Sequence, residues 1–511
     1  MRPNHSILKN ALLLTAVNLL LRGVSMLFQV YLSERIGAAG VGLLQLVLTV
    51  EGVAVTFGLS GARVAAMYLC AEEYGRRSRD GVRSAMACCL HYGLVCSLLA
   101  AAALWFGAEW AAAAWLHQPE AAESLRMAAL GLPAGCCCAI LSGYFTACGQ
   151  IGRLVRVEVA ERLACVALTM LLLVRSAGQS AARTCTAVVL GSNVTTLASC
   201  LLLGWYVRRG CRAAKNGPVP GMRRRMWKLC VPLALSDYLR SGLRTLEQLL
   251  IPWGLMRAGG SYESAMADYG LICGMVFPVL MFPAALLFAL SDLLVPELAR
   301  CRAEADGRRV RHLTEKCLRM GLLFSSCVAG LMFALADALG LLFYGRAEVG
   351  HYLRLFAPMI LSLYMDAIVD GTLKGLGEQV ACARYNTCTT ALDALLLWLL
   401  LPRYGLPVYL LSFSISHLVN FAFSLRRLLR VTDYCPSLAH VWKTLVCTCA
   451  ASAAAFSVFG CGTVGLLLGR TALFAAIFAA LLGLLELLTP ADVRWLRHTL
   501  QSRVDSGEQA G

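Results

Sequence analysis

The sequence predicts an all-α polytopic membrane protein of about fourteen transmembrane helices in two duplicated halves. Three observations lead there. The composition is too apolar for a water-soluble surface, apolar runs of spanning length follow one another along the chain, and the basic residues between those runs alternate in density. Of 511 residues, 59% are hydrophobic and 15% charged, and the mean hydropathy is +0.67. A soluble domain keeps about a quarter of its residues charged, so lipid is the solvent that suits this chain.

The formal charge is +16. Nucleic-acid binding would place that charge on a folded polar surface. Here Lys and Arg fill short segments between apolar runs, which points to anionic lipid head groups and to control of topology. No nucleic-acid partner is expected. The 23 cysteines lie mostly inside apolar runs, as Cys136, Cys137, Cys138, Cys447 and Cys449 do. Adjacent helical positions point in different directions, so these read as small packing residues in a reduced setting. The apolar stretch from Ile7 is followed by no small-residue cleavage site and reads as an uncleaved first helix.

A spanning helix needs about 20 apolar residues. Fourteen segments qualify: 7–33, 40–70, 84–108, 124–148, 154–177, 183–207, 226–256, 268–295, 316–343, 351–375, 380–401, 405–430, 441–468 and 470–489. With the N-terminus in the cytoplasm, alternation places 32 of the 46 Lys and Arg inside and nine outside, with five within apolar runs. A missed helix would scramble this bias, which instead holds to the end and predicts both termini cytoplasmic. The most basic loop, Arg208 to Lys228, contains the turn formers Gly217-Pro218 and Pro220-Gly221. It reads as a linker between halves that both begin inside, hence parallel repeats about an axis along the membrane normal.

A polar repeat supports duplication. Asn18, Arg22, Ser25 and Gln29 lie on one helical face at spacings of 4, 3 and 4. Asp237, Ser241, Arg244 and Gln248 repeat those spacings 219 residues later, and Gly23 pairs with Gly242. Gly143, Gly149 and Arg156 are likewise echoed by Gly371, Gly377 and Arg384 at an offset of 228. The seventh segment is the least lipid-like, with Pro232 and Pro252 expected to interrupt it and with Asp237, Arg240, Arg244 and Glu247 along it.

An arginine at mid-membrane costs about 3 kcal/mol. Such groups need water, a carboxylate partner or an anionic ligand. One reading is ion pairing within a packed bundle. The other is a hydrated cavity between the halves, lined by helices 1, 2, 7 and 8 and made cationic by Arg22, Arg63, Arg240 and Arg244. Guanidinium groups bind phosphate bidentately and stay charged, so that cavity suits a diphosphate head group, with Asn18, Gln29 and Gln248 as polar neighbours. Glu51, Asp237 and Glu247 are candidates to balance charge or carry a coupling proton, and Asp366, Asp370 and Lys374 form a further stripe on helix 10. Asp292 and Asp393 read as solvated groups near helix ends.

Several stretches carry a family resemblance: RGVSMLFQVYLSERIGAAGVGLLQLVLTV from Arg22, SGARVAAMYLCAEE from Ser60, LLFALSDLLVPELAR from Leu286, GTLKGLGEQ from Gly371, then Asn386 and LPRYG from Leu401. Together they resemble the stage V sporulation protein B family of polysaccharide-type exporters. That family lies within the superfamily of multidrug and toxin extruders, oligosaccharide flippases and the lipid II flippase MurJ. The resemblance implies two six-helix lobes related by pseudo-twofold symmetry, two extra C-terminal helices and alternating access. The domain plan it suggests is 1–210 for the N-terminal lobe, 211–225 for a basic cytoplasmic linker, 226–432 for the C-terminal lobe, and 433–511 for two further helices and a cytoplasmic tail. It also implies a lipid-linked saccharide substrate, tied in that family to peptidoglycan of the spore cortex. Arg22 matches a cavity arginine of the MurJ-like pattern; the next arginine of that pattern falls at Phe28, and the family usually has Pro where Arg63 stands.

The sequence holds no GxxxxGK[ST] loop, HExxH, GxSxG or paired Cys-x-x-Cys set. No catalytic residue, metal site or cofactor is expected. The leading reading is a flippase or exporter in the cytoplasmic membrane for a lipid-linked oligosaccharide or peptidoglycan precursor, a monomer with membrane lipids and cell-wall synthesis proteins as partners. The alternative is a cation-coupled multidrug exporter of the same architecture, which the arginine excess disfavours. A membrane-embedded glycan transferase would need a large extracytoplasmic loop, and the outside loops are short.

Overall fold

The computed structural model describes residues 5–487 apart from 77, 176–179, 211–218, 289–290, 292–297, 299–300, 303–306 and 458–461. The described residues form helices and no strand. These are α1 (His5–Leu59), α2 (Ala62–Gly75), α3 (Arg79–Ala114), α4 (Ala122–Ala147), α5 (Ile151–Arg175), α6 (Ala181–Gly210), α7 (Met222–Arg257), α8 (Tyr262–Tyr269) and α9 (Phe277–Met281). There follow α10 (Gly307–Tyr344), α11 (Ala347–Phe356), α12 (Met359–Gly375), α13 (Gln379–Tyr404), α14 (Leu406–Thr432), α15 (Leu438–Phe456) and α16 (Gly462–Leu484). The chain is an all-α polytopic membrane protein.

Nine helices among the described residues are long and apolar enough to cross a membrane, or ten if α11 and α12, bent by 55° to one another, make one span. Most of the expected segments fall on helix where they are described, but turns break 40–70 at Ser60–Gly61, 268–295 at Phe282–Pro283 and 351–375 at Ala357–Pro358, and two further corrections apply. The seventh is not interrupted: α7 runs 36 residues through Pro232 and Pro252. A proline removes one backbone donor, and a long helix held on other helices tolerates that loss. The last two segments divide earlier than the expected 468–470, since α15 ends at Phe456 and α16 begins at Gly462. The sequence between them holds Gly460, and glycine is a poor helix former. Asp292, residues 211–218 of the expected linker 211–225, the tail beyond 487 and the side chain of Asn18 lie outside the described residues.

The chain divides into two compact units: 9–21 with 36–270, and 1–8 with 22–35 and 271–511. These do not follow chain order as the expected halves do, because α7 packs on α2, α3 and α8. The long α1 contributes to both units, and its helical geometry is broken at Gly37 (φ 68°, ψ 176°), a conformation glycine adopts without steric cost.

In the first unit, α2, α3 and α4 pack through small side chains, with Ala62, Ala65, Ala66, Ala85 and Cys89 fully buried. With no water to expel between membrane helices, close van der Waals approach holds them together. Backbones come close where α1 meets α8 and the residue after it: a Cβ on Gly42 would overlap the Met266 carbonyl oxygen, and one on Gly270 would overlap that of Ala38. At the end of α2, Arg225 of α7 donates to Glu73 at 2.8 Å and to Glu72, Arg76 donates to the same two carboxylates, and Ser78 caps α3 through the Gly81 N–H. In the second unit, α15 and α16 pack on α10 through Phe474, Phe478, Ala334 and Ala451. Buried Arg470 of α16 donates to the Ala334 carbonyl at 2.9 Å.

The turns α4–α5 and α12–α13 match bond for bond. Cys148, Gly149 and Gln150 donate their N–H groups to Tyr144, Thr146 and Phe145; Leu376, Gly377 and Glu378 donate to Thr372, Lys374 and Leu373. Both glycines have positive φ, 68° and 77°. The second sequence echo, at offset 228, is therefore a repeated left-handed helix cap.

Candidate functional site: a polar cavity against α7

The polar stripe of α7 lines a single cavity of about 720 Å³ within the first unit, facing residues 45–59 of α1. Asp237, Ser241, Arg244 and Gln248 all line it, joined by Arg240 and Thr245. Spacings of 4, 3 and 4 turn these side chains to one face, and eleven residues of helix span about 16 Å. The opposite wall comes from α1, with Gln45, Thr49 and Thr56 set among leucines. Gly52 also lines it, and a Cβ there would meet nothing within 4 Å.

Two contacts hold the walls. At one end the Thr49 hydroxyl donates to Gln248 Oε1 at 2.7 Å. At the other, Phe57 stacks on Tyr238 with centroids 4.5 Å apart, and the Tyr238 hydroxyl hydrogen-bonds to Ser60. Met222–Arg257 has its midpoint near Arg240, so both cavity arginines sit at the middle of a helix long enough to cross a bilayer.

Arg240 donates to Asp237 at 2.9 Å. Its side chain is 74% exposed and that of Asp237 36%, so this is a solvated pair of small intrinsic worth. Arg244, one turn further on, is exposed and forms no ion pair among the described residues. Two guanidinium groups face one carboxylate, which leaves the cavity net cationic. The arrangement supplies planar donors for an anionic oxygen cluster. No described His, Cys, Asp and Glu are grouped to hold a metal ion.

The other candidates fall elsewhere. Arg22 belongs to the second unit, exposed, with its guanidinium 5.4 Å from the Phe288 ring centroid. Gln29 is in the same unit, its Nε2 buried without a hydrogen-bond partner among the described residues. Arg63 is exposed on α2 and lies outside the cavity lining; Glu158 of α5 is a charged neighbour. Glu51 and Glu247 are half-buried and also lie outside it. Asn18 lies on α1.

Asp366 and Asp370 belong to a network in the second unit. Asn420 of α14 donates to Asp366 at 2.8 Å, Asn386 of α13 donates to Asp370 at 3.2 Å, and Lys374 lies 3.8 Å from Asp370. One oxygen of each carboxylate is buried without a hydrogen bond. Asp393 corrects the sequence reading: it is 4% exposed, well inside α13, and accepts from Ser412 and from Ser416 at 3.0 Å. Sequence reasoning missed Thr49 and Gln45 on α1, and Ser412, Ser416 and Asn420 on α14. The signals that could have been read are the bare amides Gln45 and Asn420 in spanning segments and the four-residue spacing of Ser412, Ser416 and Asn420, which puts them on one helix face.

The profile of the family described as "Polysaccharide biosynthesis protein" matches residues 7–286. Across 96% of its length the chain is 22% identical to stage V sporulation protein B of Bacillus subtilis (strain 168), 97% of which is covered. Among solved structures it is similar to the lipid II flippase MurJ in an inward closed conformation, with a TM-score of 0.70, 10% identity, and 93% and 98% of the two chains covered. It is also similar to an inward-facing MATE-family multidrug resistance transporter, with a TM-score of 0.64, 14% identity, and 82% and 96% covered. At these identities the structural likenesses describe the fold.

Proposed function

Because this chain belongs to the polysaccharide biosynthesis protein family, we propose that it is a flippase for a lipid-linked oligosaccharide or peptidoglycan precursor, working by alternating access in the cytoplasmic membrane. The observation that carries this reading is the pair Arg240 and Arg244, one turn apart at mid-helix on a solvated cavity. Arginine there is costly in lipid and is suited to a diphosphate. Ser241, Thr245 and Gln248 add neutral donors to position it. Arg22, Arg63, Asn18 and Gln29 are proposed to meet the substrate at other stages of the cycle.

Asp366 and Asp370, with half-satisfied carboxylates, are the proposed coupling acids; Glu51, Asp237 and Glu247 are the further candidates. The proposed orientation has both termini in the cytoplasm, and the proposed lobes are 1–210 and 226–432. Similarity to a sporulation protein along nearly the whole chain supports a role in spore cortex synthesis, in company with cell-wall synthesis proteins. The multidrug-exporter reading rests on likeness of fold alone, and a net cationic cavity disfavours cationic drugs.

The test is reconstitution in liposomes with a labelled undecaprenyl-diphosphate saccharide, run beside a cationic dye. Protein-dependent movement of the lipid, lost in Arg244→Ala, supports the reading. Movement of the dye alone refutes it.

A further inference from the structure

A second cavity, of about 540 Å³, lies wholly within the unit containing 271–511, and it shares no residue with the α7 cavity. Its lining gathers three helix ends: Arg308 and Arg311 in the opening turns of α10, Leu376 just after α12, and Val431 and Asp433 at the end of α14. Arg302 completes it. Among the described lining residues three guanidinium groups thus face one carboxylate, and no salt bridge to any of the three forms among the described residues.

Two details distinguish this from a merely basic surface. The first is a fitted wall. The Arg302 guanidinium lies against the glycine cap after α12, with Nη1 2.5 Å from where a Cβ on Gly377 would stand. The second is electrostatic. Arg308 and Arg311 sit in the opening turns of a 38-residue helix with no acidic residue in its first turn. The helix N-terminus carries partial positive charge and repels cations. An anion in the cavity relieves both the mutual repulsion of the arginines and their conflict with the helix. Guanidinium groups pair bidentately with phosphate oxygens.

We propose that this cavity is a phosphate-binding site, formed by Arg302, Arg308 and Arg311, for a phosphate-bearing anion separate from the transported substrate. The ligand chemistry is shared by an anionic phospholipid head group and a free phosphate or diphosphate. On the proposed orientation it opens at the cytoplasmic side, and only that placement rests on the flippase reading.

The full-length protein, purified in a neutral detergent, supplies the test. Retention of phosphatidylglycerol against phosphatidylcholine is read by native mass spectrometry, and radiolabelled inorganic phosphate and pyrophosphate by filter binding. The arms separate lipid from free anion. The expected result is selective binding in one arm, weakened on the order of tenfold or more in the Arg302→Gln/Arg308→Gln/Arg311→Gln variant and unchanged in Arg309→Gln, which lies outside the lining. The double variant Arg308→Gln/Arg311→Gln leaves the Gly377 turn intact and is expected to show an intermediate loss, should the triple variant fold poorly. Absence of binding in both arms, or binding by the triple or the double variant equal to that of wild type, overturns the proposal. Neither readout requires transport, so failure here leaves the flippase reading standing, and failure of transport leaves this site standing.

Discussion

Arg244→Ala removes the cavity guanidinium that has no carboxylate partner among the described residues, whereas Arg240→Ala removes one already engaged by Asp237 at 2.9 Å. A hydrogen bond to a charged group contributes about 1.5 to 3 kcal/mol. Arg244 is exposed, so the lower end applies, about 1.5 kcal/mol, or roughly tenfold in affinity for an anionic head group. Arg240 must first give up an exposed ion pair worth about 0 to 1 kcal/mol, so its loss weakens binding less. Asp237→Asn releases Arg240 and removes a repelling charge. It therefore tightens binding of the same ligand by up to about fivefold, from that same 0 to 1 kcal/mol. The assay is equilibrium binding of a labelled polyprenyl-diphosphate saccharide to the three variants in nanodiscs, with melting temperature as the folding control. An order of effect in which Arg240→Ala is the most damaging, or in which Asp237→Asn weakens binding, refutes the charge accounting of the cavity.

Further outcomes follow from the packing. Gly42→Ala drives a methyl group against the Met266 carbonyl. It is expected to cost about 1 to 3 kcal/mol, seen as a lower melting temperature in detergent. Asp393→Ala strands the Ser412 and Ser416 hydroxyls in a buried site; destabilisation of about 1 to 3 kcal/mol is expected by the same measurement, with Asp393→Asn milder. Glu73→Gln weakens the junction of α2 and α7. Glu73 is 4% exposed but its arginine partners are partly solvated, so a loss of about 1 to 2 kcal/mol is expected, again read as melting temperature. Asp366→Asn keeps the hydrogen bond from Asn420 but removes the ionisable carboxyl; uptake driven by an ion gradient is expected to fall while ligand binding in nanodiscs is retained.

The stripe on α7 is legible in the sequence because Asp237, Ser241, Arg244 and Gln248 are costly in lipid and spaced to share a face, and that spacing alone implies a sheltered surface. Its opposing wall is not. Gln45, Thr49, Glu51 and Thr56 are scattered through a largely apolar stretch of α1, and only tertiary packing decides which of them meets α7. Asp393 misleads because a charge near the end of an apolar run looks solvated, while the serines that bury it come from α14, 19 and 23 residues away. The helix end at Phe456 lies inside a run of small residues, where hydropathy has no contrast. The repeated turn at Gly149 and Gly377 is visible as identity at a fixed offset. The hydrogen bonds that make it one cap are not.

The unbroken course of α7 has a mechanical consequence. Pro232 and Pro252 cannot donate to the carbonyls of Lys228 and Gln248, so the rod has one missing rung near each end of its functional face. Bending concentrates where rungs are missing. Residues between the two prolines, among them every α7 group that touches the cavity, therefore move as one stiff lever, with compliance confined to its two flanks.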